Sequence, residues 1–169
     1  MSEDATVDDR AFVAIQRFLT REAACLDRRD YAAWMKLLAD DIHYRVFARV
    51  VRETEAGERD TAIVDEDAVQ LRARAEQLRN PKLTHAENPA SFTRRFVSNL
   101  DAQRTDAGEY AVTSNLLLYR SRTNVPQGGF YVGVRHDVLR PVDGALKLAR
   151  RDVRLDQSTF FDGVVALLF

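Results

Sequence analysis

Apolar positions recur along this chain with two different periods, and the change of period divides it. Between Asp9 and Leu26, the residues Phe12, Val13, Ile15, Phe18, Leu19, Ala23 and Leu26 fall three and four apart. That spacing lines one side of an amphipathic helix. Asp27–Asp30 interrupts it, and Asp30 is placed to cap a second, shorter helix that buries Tyr31, Trp34, Leu37 and Leu38. Asp40-Asp41 reads as the turn and capping pair that ends this helix. Ile42–Val51 then alternates as a first strand, and the charged stretch Arg52–Thr61, with Gly57, reads as an exposed loop. Asp65–Arg79 returns to helical spacing, with Asp65 as cap and Val69, Ala75 and Leu78 turned inward. Asn80–Ala90, holding Pro81, Asn88 and Pro89, connects into the second half.

From there the period is two. Arg95–Arg104, Tyr110–Arg122, Phe130–Arg140 and Ala145–Gln157 are separated by Asp106-Ala107-Gly108, by Pro126-Gln127-Gly128-Gly129, and by Pro141-Val142-Asp143-Gly144. Such strands are about twice the usual length. Short loops force antiparallel pairing, and long twisted strands must curl. The expected fold is α+β: a cone-shaped, strongly curved, mixed but mostly antiparallel sheet. About three N-terminal and intervening helices pack on its concave side. Phe96, Ser98 and Leu100 share one face of their strand, and Phe130, Val132, Val134, His136 and Val138 share one face of theirs, with Tyr131, Gly133, Arg135, Asp137 and Leu139 opposite. With apolar residues on both faces, one face is expected to meet the helices and the other a partner chain. The apolar tail Val164–Phe169 either folds back on the sheet or docks on a neighbour.

Composition narrows the chemistry. The 169 residues make one domain, residues 1–169, with residues 1–9 a polar lead expected to be mobile. Twenty-five basic against 26 acidic residues give no electrostatic case for nucleic acid or an anionic membrane. No stretch approaches the roughly 20 apolar residues of a membrane span. The acidic start Met1-Ser2-Glu3-Asp4 is unlike a signal peptide, and the single cysteine, Cys25, suits a reducing cytoplasm. One thiol cannot hold a zinc ribbon, a ferredoxin cluster or a Rieske centre. His43, His85 and His136 lie 42 and 51 residues apart, so nothing local makes an iron triad. No cofactor and no metal are expected in this chain.

Four segments resemble the small, or beta, subunit of aromatic-ring-hydroxylating dioxygenases. They are Phe18-Leu19-Thr20-Arg21-Glu22-Ala23 through Asp40-Asp41-Ile42-His43-Tyr44; Glu87-Asn88-Pro89-Ala90-Ser91 into Thr93–Asn99; Ser114-Asn115 with Tyr119-Arg120-Ser121-Arg122; and Arg135 with Asp137–Arg140, Ala149-Arg150-Arg151 and Leu155-Asp156-Gln157. The chain departs from the family where Arg95 stands in place of an imidazole and Phe92 in place of an arginine. The resemblance implies a cone like that of nuclear transport factor 2 or ketosteroid isomerase. It implies a partner alpha subunit carrying a Rieske [2Fe–2S] centre and a mononuclear Fe(II), with NADH supplying electrons through a reductase. Assembly as a trimer, within three alpha and three beta subunits, is likewise implied.

Two sets of residues follow as candidates. A cone that is an enzyme by itself would draw its acids and bases from Asp27, Asp41, Tyr44, Asn99, Tyr119, His136 and Asp152, for isomerase or dehydratase chemistry or for binding a small ligand. His136 and Asp137, adjacent on a strand, face opposite sides and cannot form a dyad. As a beta subunit, which the resemblance implies, the chain is expected to have no catalytic residue of its own. Its subunit interface would use His85, Arg94, Arg95, Arg122, Arg135, Arg150, Arg151, Asp156 and Phe169, because guanidinium–carboxylate pairs on strands fix the register of a contact. Tyr31 and Trp34 are read as core, Cys25 as an inert small hydrophobe.

Overall fold

Six strands in the order β2-β1-β6-β5-β4-β3 make one curved sheet, in a computed structural model that describes residues 6–49, 61–80, 87–123, 125–158 and 167–169. The elements run α1 (Asp9–Asp27), α2 (Tyr31–Met35), β1 (Leu38–Ala48), β2 (Thr61–Glu66), α3 (Ala68–Arg79), β3 (Phe92–Arg104), β4 (Tyr110–Arg122), β5 (Val125–Val142) and β6 (Ala145–Leu155). All neighbours pair antiparallel except β1 with β6, which are parallel. The sheet is therefore mixed but mostly antiparallel, as the sequence suggested.

Each element starts where local chemistry favours it. Asp8 caps α1 by accepting from the Ala11 amide at 2.6 Å, and Thr6 just before it bridges to Gln103. Asp30 caps α2 through the Ala33 amide at 3.0 Å. The hairpin between β5 and β6 turns on Asp143 and Gly144, both with positive φ, the conformation a two-residue turn needs to match strand twist. The helices lie against the concave face. Ile15, Leu19, Leu26, Trp34, Leu71 and Ala75 pack there with Tyr44, Leu116, Leu118, Tyr131 and Val153 in one core.

Four local expectations need correction. The second helix stops at Met35, and Leu38 through Asp41 belong to β1, because the Leu37 carbonyl is taken by the Leu148 amide of β6 at 2.8 Å. Asp40 and Asp41 are thus strand residues, not a helix cap. Before the third helix, Thr61–Glu66 forms an unanticipated strand against β1; Asp65 lies on that strand, and the helix begins at Asp67 with a capping box to Gln70. Val69 consequently faces solvent, 77% exposed, while Leu71 and Ala75 are buried. Finally, β3 carries a bulge between Ser98 and Asp101, with Asn99 at φ 52. One extra residue reverses the alternation, so Leu100 joins Val97 on the core side instead of Phe96 on the outer side. Of the loop expected at Arg52–Thr61, only Thr61 is among the described residues.

Candidate functional site: a buried ion network and two surfaces

Four charged side chains meet inside the cone. Glu22 comes from α1, Arg135 and Asp137 from β5, and Arg151 from β6, none more than 2% exposed. Glu22 reaches this depth because it sits on the apolar side of α1, four residues from both Phe18 and Leu26. Strand alternation delivers Arg135 and Asp137 to the same face as Tyr131 and Leu139.

Arg151 is the hub. Its Nε and Nη2 donate to the two Asp137 oxygens, each at 2.8 Å. Its Nη1 donates to Glu22 Oε1 and to the main-chain oxygen of Phe169, both at 2.8 Å. Glu22 Oε1 also accepts from Trp34 Nε1 at 3.0 Å, and Oε2 from Arg135 Nη1 at 3.3 Å. Arg135 Nε reaches Ser114 Oγ at 3.4 Å. Two guanidiniums thus face two carboxylates, and the charges of these four side chains balance. Burial pushes the Glu22 carboxyl up, but the Arg151 and Arg135 charges outweigh it and bring it down to about 2. Despite burial, the grip of Asp137 and Glu22 holds Arg151 well above the usual arginine range. A carboxylate this acidic is a poor general base near neutral pH, where the best proton acceptors titrate close to the working pH.

The network also anchors the last residues. The Phe169 amide donates to Tyr44 Oη at 2.8 Å, and its ring meets Tyr131 edge-on, centroids 5.4 Å apart. Beside it, Arg95 Nη1 binds Asp27 Oδ1 at 2.6 Å while Nη2 binds the Leu168 carbonyl at 2.5 Å. Leu167, Leu168 and Phe169 therefore fold back into the core; the rest of the apolar tail lies outside the described residues.

The acids and bases proposed for an autonomous site do not converge. Tyr44 points inward and is fully buried. Asp41 is exposed and paired with Arg140 at 2.7 Å. Asn99 is exposed at the β3 bulge, and Tyr119 stacks on Phe130 at 5.3 Å. His136 and Asp152 do stand opposite each other on β5 and β6. Asp152, however, is held by Arg45 at 2.6 Å and by Arg150 at 2.8 Å, and His136 lies 3.4 Å from the Thr113 hydroxyl. Asp27 is tied to Arg95. His136 is exposed and Asp137 buried, so the two do face opposite sides. Among the described residues, no three His, Cys, Asp or Glu side chains gather as metal ligands.

Of the residues expected at a subunit interface, Arg94, Arg150 and Asp156 are exposed and Arg122 is half-buried. Arg135, Arg151 and Phe169 are 0% exposed, so their side chains present no surface to a partner. Arg95 is nearly covered by Asp27 and Leu168, and His85 lies outside the described residues. Glu22, quoted only within a family-resembling segment, was given no role by the sequence reading. Its signal was a lone carboxylate on the apolar stripe of an amphipathic helix, which demands a buried cation elsewhere. Trp34 is fully buried and Cys25 nearly so, with burial raising the thiol's pKa.

The outer face of the sheet is the opposite of the interior. Phe92 is 63% exposed, Phe96 56%, Phe130 48%, Val132 39% and Leu117 37%. Phe96 stands beside Leu117, and Leu117 beside Val132, across β3, β4 and β5. Phe96, Leu117 and Val132 thus form one cross-strand apolar row, with Phe92 and Phe130 further along the same face, of the kind that marks a contact with another polypeptide.

A curved sheet packed against helices, with ion pairs buried in its interior and an apolar outer wall, defines a cone-fold protein. The chain belongs to the ring hydroxylating beta subunit family, whose model matches residues 21–162. It is 34% identical to the biphenyl 2,3-dioxygenase subunit beta of Rhodococcus jostii, over 99% of this chain and 94% of that one. It is 32% identical to a benzene 1,2-dioxygenase subunit beta of Pseudomonas putida, over 92% and 87%. Among solved structures, naphthalene 1,2-dioxygenase with indole bound in its active site superposes with a TM-score of 0.81 at 25% identity, over 96% of this chain and 88% of that one. Family and cone fold are those the four sequence segments implied. No described helix is long and apolar enough to cross a membrane.

Proposed function

We propose that this chain is the assembly subunit of the terminal oxygenase of a Rieske non-haem iron dioxygenase. The complete enzyme uses O2 and two electrons from NADH, delivered through a reductase, to turn an aromatic ring into a cis-dihydrodiol. The iron centres and the substrate pocket belong to a larger alpha subunit, and this chain contributes no metal ligand. Three copies pack through the outer sheet face and hold three alpha subunits in a cytoplasmic assembly. Arg94, Arg150 and Asp156 lie at the margin of that contact, whereas Arg135, Arg151 and Phe169 act behind it by fixing the curvature of the wall.

The observation that carries this reading is the exposed apolar surface of Phe92, Phe96, Leu117, Phe130 and Val132 on a chain of this family. The interior supports it, since both Asp137 oxygens and both Glu22 oxygens are already occupied by donors. The test is reconstitution. The purified chain with reductase and NADH is expected to give no dihydrodiol, and co-expression with its cognate alpha subunit to give turnover. Turnover by this chain alone overturns the proposal.

A further inference from the structure

The outward side of α1 carries a line of exposed arginines. Arg10, Arg17, Arg21 and Arg28 are all exposed, and on an ideal helix of 3.6 residues per turn they fall within an arc of about 40°. The line is about 27 Å long at 1.5 Å per residue. None of the four forms an ion pair with the described residues. The three carboxylates of the helix lie off the line: Glu22 points into the core, Asp27 is bound by Arg95, and Asp9 stands about 100° round the helix from Arg10. Arg17 and Arg21 are moreover spaced i,i+4, where like charges destabilise an isolated helix. Grooves flank the line on both sides. One is lined by the exposed Arg94 of β3 beside the mutually neutralised Arg95–Asp27 pair, the other by Lys36 and Lys147.

In a chain with a formal net charge of −1, this is segregation of charge, not excess. We propose that the outward face of α1 is the docking surface for a carboxylate-bearing segment of the alpha subunit. That identity rests on the functional reading above; the acidic chemistry of the partner rests on the arginine line itself. A second copy of this chain is a poor complement, because much of its own carboxylate is committed: Asp41, Glu66 and Glu109 to ion pairs, and Asp8, Asp30 and Asp67 to helix caps. A lipid surface is also a poor complement. Beside the arginines on the helix lie Ala14, Gln16, Thr20 and Ala24 with the exposed Val13, while Phe18 is buried, and peripheral helices need a bulky apolar face to insert. Those small residues instead let another backbone approach closely.

The test uses the two co-expressed subunits, comparing wild type with Arg17→Glu/Arg21→Glu and with Arg17→Lys/Arg21→Lys. Affinity between subunits is measured at about 50 and about 300 mM NaCl, since salt screens exposed charges. The charge-reversed pair is expected to bind the alpha subunit about tenfold or more weakly at low salt, with the gap narrowing at high salt. The lysine pair is expected to stay within about threefold of wild type, and the self-assembly of this chain to be unchanged in both. Equal affinity of wild type and the Glu pair overturns this inference alone. Loss of binding to phosphatidylserine vesicles by the Glu pair, with subunit affinity unchanged, overturns it in favour of a membrane. A wild-type chain that never binds the alpha subunit overturns the functional reading and this inference together.

Discussion

Glu22→Gln keeps the shape of the side chain but removes the charge on which the interior is built. Glu22 satisfies Arg151, Arg135 and Trp34 at once, at 2.8, 3.3 and 3.0 Å. A carboxamide can offer one acceptor oxygen, but its NH2 must then point at a guanidinium that also donates. Holding this carboxyl at about 2 instead of its ordinary 4.5 corresponds to about 3 kcal/mol of stabilisation at neutral pH, at 1.36 kcal/mol per pKa unit. Removing one member of a buried ion cluster costs about 3–5 kcal/mol, so both estimates agree on roughly 3–4 kcal/mol. For a chain of this size that is a fall in Tm of about 10 °C. Urea unfolding of wild type, Glu22→Gln and Asp41→Asn at one protein concentration measures it. Asp41→Asn, which breaks only the exposed pair with Arg140, is the control and is expected to cost below about 1 kcal/mol. A Glu22→Gln loss no larger than that control refutes the account of the interior.

Three further outcomes follow from the same geometry. Because the Glu22 pKa is lowered in the folded chain, the unfolded chain takes up its proton more readily. This contribution is complete above about pH 4.5 and is lost as pH falls toward about 2; acid titration of stability is expected to be shallower in Glu22→Gln, and identical slopes contradict it. Arg95→Ala strips donors from Asp27 and the Leu168 carbonyl, at about 2–3 kcal/mol; amide hydrogen exchange at Leu168 and Phe169 is expected to speed up, and unchanged exchange shows that Arg95 does not anchor them. Phe96→Glu places a charge on the outer face at a side chain 56% exposed; self-association is expected to weaken by about 2 kcal/mol or more with little change in Tm, and unaltered association removes that face from the contact.

The strands were legible because alternation over ten or more residues, punctuated by Asp106-Ala107-Gly108 and Asp143-Gly144, leaves little choice of structure. Pro126–Gly129, expected as a turn, instead lies within β5 (Val125–Val142), because β4 pairs on past it to Arg122. What stayed hidden depended on contacts between distant residues. The β3 bulge at Asn99 shifts Leu100 inward by a single inserted residue, which no periodicity records. Thr61–Glu66 is a strand only because β1 lies beside it. Arg135 and Arg151 read as surface arginines until Glu22 was placed beneath them, since strand alternation alone cannot say which face becomes the inside. The family, by contrast, was carried by Glu87–Ser91, Asp137–Arg140 and the segments around them, whose order along the chain needs no geometry. The interface residues drawn from that resemblance mixed exposed side chains such as Arg94 and Arg150 with interior ones, because both kinds are arginines on strands.

Native mass spectrometry of this chain co-expressed with a ring-hydroxylating dioxygenase alpha subunit from the same source tests the central claim most directly. The account predicts one closed assembly with equal numbers of the two chains, three of each, in which the apolar outer wall is covered. A stable monomer of this chain, free of the larger subunit while that subunit is present and folded, contradicts it.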